Sequence, residues 1–474
     1  MAFQPIDRET DYLLPPSVQE WLPKSHLARY VVDVVEGLDL SARVRAYAGR
    51  GSEAYHPATL LSLLIYGYAT GTFSSRKIER ATYDSLAFRY IACNRHPDHD
   101  TLATFRKRFG QEFESAFVQV LQVARENQLS RFGTVSLDGT KIHANASRHS
   151  ALSYAHAEKI EAHLKAEVQE LLALADAADQ SAVPDGVSLP DEITRREDRL
   201  AAIATAKVKI EARAKERFEA EQADYEAKMA ARAAKVEAGK KPGGKLPKPP
   251  EAGPRATDQI NLTDEESRIM KVAGGGFEQC FNAQAVVDTE SMLVIATDVT
   301  QAGNDKEQVE PMVAKVQANP EGLNQPDTWL ADTGYYSAKN VDVCLAAKIE
   351  PLIAVKRDEH HPDWRDRFTE PLPLAENASP VETMKHKLKT RTGRAAYALR
   401  KQTVEPVFGI IKSVMGFRQF LLSNHAKLIW NFVPKLASRV WTSRTRVAGV
   451  QAVKSRQWYL ACFQRISMRL SSGL

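Results

Sequence analysis

Long apolar runs are missing from this 474-residue sequence: the longest, around Leu60 to Tyr66, falls far short of the roughly 20 residues a membrane-spanning helix needs. No membrane association is expected. The N-terminus, Met1 to Thr10, mixes acidic, basic and polar residues without an apolar core of signal-peptide length, which argues against secretion and predicts a cytoplasmic protein. Cysteine is scarce. Cys93, Cys280, Cys344 and Cys462 stand far apart, without the paired spacing of a zinc site or a disulfide framework, so reduced and mostly buried thiols are expected. His143, His149, His360 and His361 lack zinc-site spacing as well. The net charge of +5 is small for this length and does not by itself announce a nucleic-acid partner; where the charge sits matters more. With 43% hydrophobic and 26% charged residues the chain is of globular type, and its length suits two or three structural units better than one core.

Four expected parts follow along the chain: a helical domain at 1–125, a core in two pieces at 126–149 and 257–440, an insertion at 150–256, and a helical segment at 441–474. The first part carries the apolar run Leu60, Leu61, Leu63, Leu64 and Ile65, broken by Gly67 and Gly71, with Ser74 and Asp100 placed to start helices. From Thr134 the pattern becomes that of a strand, Val135 and Leu137 alternating with Ser136 and Asp138. The insertion is rich in Ala, Glu, Lys and Arg at helical spacing and is broken near Ser181 to Pro190, which predicts a helical hairpin. Its end, Ala238 to Pro254, is a Lys, Pro and Gly tract that reads as a mobile linker. Strands are expected at Cys280 to Val287 and Met292 to Val299, then a helix started by an Asn304 and Glu307 capping box, a strand ending at Asp332, a helix at Ser337 to Lys348, a strand at Leu352 to Val355, and helices from about Val404. The fold class is α/β: an RNase H-like core, a mixed five-stranded sheet with helices, interrupted by a helical insertion and preceded by an all-α domain.

Asp138 lies within the first strand and Asp332 at the end of a later one, so adjacent parallel strands would bring both carboxylates to one edge of a sheet. A third comes from Thr403-Val404-Glu405-Pro406, where Val404, Phe408, Ile411 and Met415 form the inward stripe and Glu405 and Lys412 share the polar face. Pro406 suits a first helical turn, which sets Glu405 at a helix start, with a longer helix kinked at the proline as the alternative. Carboxylates on rigid supports are what a pair of Mg²⁺ ions about 4 Å apart requires in phosphodiester chemistry. Taken singly, each has an ordinary reading: Asp138 and Asp332 as turn residues beside glycines, Glu405 as a first-turn acid.

The blocks Ser136-Leu137-Asp138-Gly139-Thr140-Lys141, Ala331-Asp332-Thr333-Gly334-Tyr335-Tyr336 and Thr403-Val404-Glu405-Pro406-Val407-Phe408-Gly409 resemble the three catalytic blocks of DDE transposases of insertion sequences, especially the group numbered eleven-eighty-two. The stretches Gln259 to Lys271 and Phe281 to Asp288 are similar to that group too, so the resemblance covers nearly the whole chain. It implies metal-dependent cleavage at the ends of a mobile element and transfer of the freed 3′-hydroxyl into target DNA. Asp138, Asp332 and Glu405 would hold two Mg²⁺ ions, with Mn²⁺ as substitute. The implied partners are double-stranded DNA, as terminal inverted repeats and as target, and further copies of the chain in a homodimer or higher oligomer on DNA.

In the family a tyrosine, an arginine, the glutamate and a lysine follow at fixed spacing. Glu405 to Lys412 fits; Tyr397 and Arg400 sit one position upstream of the pattern, and Lys401 has the arginine's distance. These four flanking residues are the DNA contacts the resemblance implies. Arg76, Lys77, Arg80, Arg106, Lys107 and Arg108 are candidate DNA contacts of the N-terminal domain, or else a solvated helix face. The basic residues of the insertion admit DNA, a second subunit, or plain solvent. An RNase H-like nuclease without strand transfer and an inactive DNA-binding derivative acting as repressor or domesticated protein are the competing functions.

Overall fold

The computed structural model describes residues 17–45, 54–126, 131–177, 188–239, 243–355, 369–374 and 377–420. The expected C-terminal segment 441–474, His360, His361 and Cys462 lie outside the described residues. The chain forms two compact units, the first containing Met1–Ile142 and Asn282–Phe420, the second His143–Phe281. The N-terminal helices share a unit with the sheet, and the second unit includes the insertion expected at 150–256.

The N-terminal helices are α1 (Val18–Trp21), α2 (Leu27–Glu36), α3 (Ser41–Arg45), α4 (Pro57–Ala69), α5 (Ser75–Asp84), α6 (Leu86–Ile91), α7 (His99–Arg108) and α8 (Gly110–Glu126). In α4 the residues Leu60, Leu61, Leu63, Leu64, Ile65, Tyr66 and Tyr68 are all buried, so the helix is apolar around its whole circumference, as a central element must be. Helices α2, α5, α6 and α7 pack round it. Gly67 does not break this helix, which runs on to Ala69. A Cβ on Gly67 would stand 2.9 Å from Ile78 Cδ1, so the glycine is what lets α5 close against α4. Ser74 takes the N-cap position of α5 without a side-chain cap bond, and α7 is capped by Asp98, not by Asp100.

Strand β1 (Thr134–His143) is followed, after the insertion, by β5 (Phe277–Asp288), β6 (Val294–Thr300), α11 (Val309–Gln317), β7 (Thr328–Ala331), α12 (Ala338–Ala346), β8 (Glu350–Ile353), α13 (Pro380–Lys389) and α14 (Arg391–Gly409). The sheet runs β5-β1-β7-β8, with β6 on the other edge of β5. Strands β5 and β6 are antiparallel, and β7 is parallel to both β1 and β8. This is the RNase H-like arrangement read from the sequence. One correction concerns strand number. Among the described residues the sheet has six strands, because β4 (Arg268–Lys271) also pairs with β5, whose 12 residues accommodate β4 and β6 in succession.

Two helix starts differ from expectation. Helix α11 begins at Val309 behind Gln308, which makes no side-chain cap bond, so Asn304 and Glu307 do not form the expected capping box. The closing helices begin at Pro380, where Ser379 and Glu382 do form one.

In the second unit β2 (Ala151–Ser153) leads into α9 (Tyr154–Ala177), and α10 (Leu189–Glu237) returns to β3 (Gln259–Asn261). Leu152, Ala157, Leu164, Ile203, Ala206, Ile210 and Ile260 make the core between these elements. The insertion therefore does carry strand pairing, contrary to the sequence pattern. Helix α10 has 49 residues against 24 in α9, a length of about 70 Å at 1.5 Å per residue. From Gly243 on, the tract read as a mobile linker is held along α10: Arg232 donates to the carbonyls of Gly243 and Lys245, Arg217 to Gly253 O and the Asp258 carboxylate, and Arg255 to Glu221. Guanidinium groups satisfy the carbonyls of Gly243, Gly244, Lys245 and Gly253.

Antiparallel pairing sets Ser153 opposite Gln259, and Tyr154 N–H donates to Asp258 O at 2.8 Å. The whole appendage thus leaves and re-enters through one neck. Replacing 154–258 by a two-residue Asn-Gly hairpin loop is expected to leave the rest folded, with a cooperative melt and native circular dichroism in the remaining elements. Loss of that melt would show that the arms complete the fold.

Candidate active site

Asp138 comes from the middle of β1 and Asp332 from the first residue after β7. The register Thr134↔Thr328, Val135↔Trp329, Ser136↔Leu330, continued by two residues, sets Asp138 level with Asp332 at the carboxyl end of the parallel pair. Val135, Leu137, Trp329, Leu330 and Ala331 are fully buried beneath them, which makes the support rigid. Ser136 is fully buried too, so β1 does not have the polar outer face its sequence suggested: it is a central strand covered on both sides.

Each aspartate is fixed by the backbone. Asp138 Oδ1 accepts from Gly139 N–H at 2.8 Å, and Asp332 Oδ1 accepts from Gly334 N–H at 2.8 Å, capping the short turn Thr333–Tyr335. Burial pushes the Asp138 carboxyl up to about 7; the charges of Asp332 and Asp305 act in the same direction, against Gly139 N–H and Arg400.

Glu405 stands well inside α14, which begins at Arg391, so it is not at a helix start; the alternative of a longer helix containing Pro406 holds. Pro406 has no N–H for the carbonyl of Gln402, and the helix continues into a π turn at Ile410–Val414. The Glu405 side chain is 56% exposed, with Oε1 3.7 Å from Arg400 Nη2. Arg400 Nη1 lies 3.4 Å from Asp138 Oδ2, so this buried guanidinium, 9% exposed, stands between the two carboxylates. The Tyr397 ring lies one turn away, its centroid 6.0 Å from the guanidinium carbon. Lys401, which has the family distance from Glu405, is exposed. Lys412 Nζ donates to Thr140 Oγ1 at 2.5 Å and to Lys141 O at 2.8 Å, tying the π turn to β1 just past Asp138.

On the N-terminal helices Arg76, Lys77, Arg80, Lys107 and Arg108 are exposed, whereas Arg106 is half-buried and donates to Tyr68 Oη at 3.3 Å. Helices α5 and α7 pack on each other, joined by a Glu79 to His99 contact at 2.8 Å. Cys280 and Cys344 are buried and reduced, and burial pushes the Cys344 thiol up to about 12; Cys93 is exposed and reduced.

The sequence reading missed Asp305, Asn282, Gln284 and Tyr335, all gathered beside Asp138. Tyr335 is buried, which raises its hydroxyl well above the ordinary range, helped by the charges of Asp305, Asp138 and Asp332. The signal was present on β5. Asn282 and Gln284 are polar residues at strand period among the apolar Phe281, Ala283, Ala285 and Val286, and both are wholly buried.

Among the described residues no three His, Cys, Asp or Glu side chains converge into a ready-made metal cage. The donors nevertheless suit a hard divalent cation. They are carboxylate oxygens, and the charge on Asp138 is disfavoured by burial and by its acidic neighbours, a condition that a cation relieves.

Sheet order and acidic edge together place the chain in the RNase H-like class. A transposase domain (DUF772) matches residues 16–108 and a transposase DDE domain matches residues 248–430, together more than half of the chain. The chain belongs to the DDE transposases of insertion sequences. The DDE match begins after β1, and it is the sheet that joins Asp138 to it, through the pairing of β1 with β7. No curated protein and no solved structure gives a match.

Proposed function

We propose that this transposase cuts DNA at the ends of its own element and transfers the freed 3′-hydroxyl into target DNA, using Mg²⁺ held by Asp138, Asp332 and Glu405. Mn²⁺ would serve in its place, and membership of the eleven-eighty-two group is part of this reading. The observation that carries it is the level placement of Asp138 and Asp332 on adjacent parallel strands, with Arg400 linking Asp138 to Glu405. Bound divalent ions would activate the attacking oxygen and stabilise the leaving one. Arg400 holds two of the carboxylates within reach of each other. Its Nε is buried and has no hydrogen-bond partner among the described residues. Lys412 and Tyr397 fix β1 and Arg400, respectively, and Lys401 is exposed for a phosphate further along the strand.

The test is a DNA fragment bearing the inverted repeats that flank the gene, incubated with the full chain. Cleavage confined to the repeat ends, requiring Mg²⁺ or Mn²⁺ and followed by joining to a second duplex, is expected. Cutting without regard to the ends would leave a plain nuclease, and end binding without any cutting would leave an inactive derivative.

End recognition is assigned to α5 and α7. Replacing Arg76, Lys77 and Arg80 by alanine is expected to weaken metal-free binding to the ends and to reduce the salt slope of log K by about 0.9 for each phosphate no longer neutralised. An unchanged slope would make these residues a solvated face. The full chain is used because these helices pack as one unit with the sheet.

A further inference from the structure

We infer that Asp305 is a fourth carboxylate of the metal centre, a cation ligand beside Asp138 and Asp332; this rests on the metal-dependent reading above and adds a residue to it. Asp305 lies between β6 and α11. Its Oδ1 accepts from Asn282 Nδ2 at 2.6 Å and Gln284 Nε2 at 2.8 Å, and Lys141 Nζ lies 3.7 Å away. The two amides are two residues apart on β5 and so project from one face of the sheet.

That face abuts the catalytic strand. A Cβ on Gly139 would stand 2.4 Å from Gln284 Nε2, 2.8 Å from Asp305 Oδ1 and 3.1 Å from Asn282 Oδ1, so all three reach the backbone next to Asp138. On the far side a Cβ on Gly334 would stand 3.0 Å from Asp332 Oδ1 and 4.0 Å from Asp305 Oδ2. The second oxygen of Asp305 therefore fronts the same glycine as the Asp332 carboxylate.

A separate observation points to a missing ligand. Asn282 is wholly buried, its Nδ2 is engaged by Asp305 and by Ala302 O, and its Oδ1, turned toward Gly139, has no hydrogen-bond partner among the described residues. Buried acceptors are rarely left so, and a cation or a water on it would satisfy this one. From behind, Tyr335 Oη donates to Gln284 Oε1 at 2.5 Å, and Asn340 Nδ2 donates to the carbonyls of Lys306 and Tyr335. This buried scaffold orients Asp305 as supporting hydrogen bonds orient metal ligands elsewhere. An asparagine oxygen would accept the same two amides; the charge of Asp305 serves cations, Lys141 Nζ at 3.7 Å from Oδ1 and, in this inference, a metal ion at Oδ2.

The experiment is a Mn²⁺ titration of the full chain, followed by electron paramagnetic resonance, for the unmodified protein, Asp138→Asn and Asp305→Asn. Asp305→Asn is expected to lose one bound Mn²⁺ per chain or to bind at least ~10-fold more weakly, with an unchanged melting temperature. Mn²⁺ binding equal to that of the unmodified protein would overturn the inference and leave the metal reading standing. No Mn²⁺ bound by the unmodified protein would instead overturn the metal reading itself. Should Asp305→Asn melt early, Asp305→Cys titrated with Cd²⁺ decides: a cadmium-thiolate absorption band beyond that of the unmodified protein supports ligation at this position, and its absence refutes it.

Discussion

Asp138→Asn, Asp332→Asn and Glu405→Gln are each expected to abolish Mg²⁺-dependent cleavage at the element ends while leaving metal-free end binding near its original affinity. Each substitution keeps the side-chain shape and removes a hard anionic oxygen. A metal ion contributes several kcal/mol of transition-state stabilisation, so losing one lowers the cleavage rate by ~10³-fold or more. The three need not be equal in their structural effects. Asp138 is buried against Arg400, and its neutral analogue leaves that guanidinium with Glu405 alone, at 3.7 Å. Glu405 is exposed, and its replacement disturbs little besides the site. Single-turnover cleavage of end-labelled DNA separates the variants; an undiminished rate for any one of them removes that residue from the metal site.

Mg²⁺ binding is expected to weaken steeply as pH falls from 8 to 6. Burial, with Asp332 and Asp305 adding to it, pushes the Asp138 carboxyl up to about 7 in the metal-free protein. Below that value the proton occupies the oxygen that the cation needs; above it the carboxylate is free to bind. With ionisation near 7, roughly a tenth of the chains carry the charge at pH 6 and most do at pH 8, so the apparent affinity should drop about tenfold. Calorimetric titration at both pH values measures this directly. Affinity independent of pH over that interval would mean that Asp138 is already ionised when the metal arrives. In Asp138→Asn the remaining binding should lose this dependence.

The elements of the sheet were legible because their apolar residues alternate or run together in short bounded segments, and Asp138 and Asp332 were visible as acidic residues, one within a strand and one at a strand end. The level placement of the two aspartates was not, since register is a matter of long-range pairing between β1 and β7. Glu405 was legible as a candidate, but its helix start was misplaced: Pro406 favoured a first turn, and the packing of Gly393, Arg400, Thr403 and Val404 carries the helix through from Arg391 instead. Arg400 fell outside the family spacing, yet the structure aims it, and not Lys401, at the carboxylates. Asp305 was hidden for another reason. Next to Asn304 and ahead of an apolar helix, it looked like part of a helix start, and only the return of β5 beside β1 brings it to the site.

Gly139 separates two ways in which a gene of this kind can fail. At Asp138 a single change to asparagine is expected to leave a folded protein that still occupies the element's ends and blocks them against an intact copy. At Gly139 even the smallest side chain would meet Gln284 Nε2 at 2.4 Å and Asp305 Oδ1 at 2.8 Å, displacing the amides that hold β5 and the acidic edge together. Neighbouring positions in one strand are thus expected to yield opposite phenotypes when both copies are expressed in one cell. A change at Asp138 interferes with its sibling, and a change at Gly139 merely drops out.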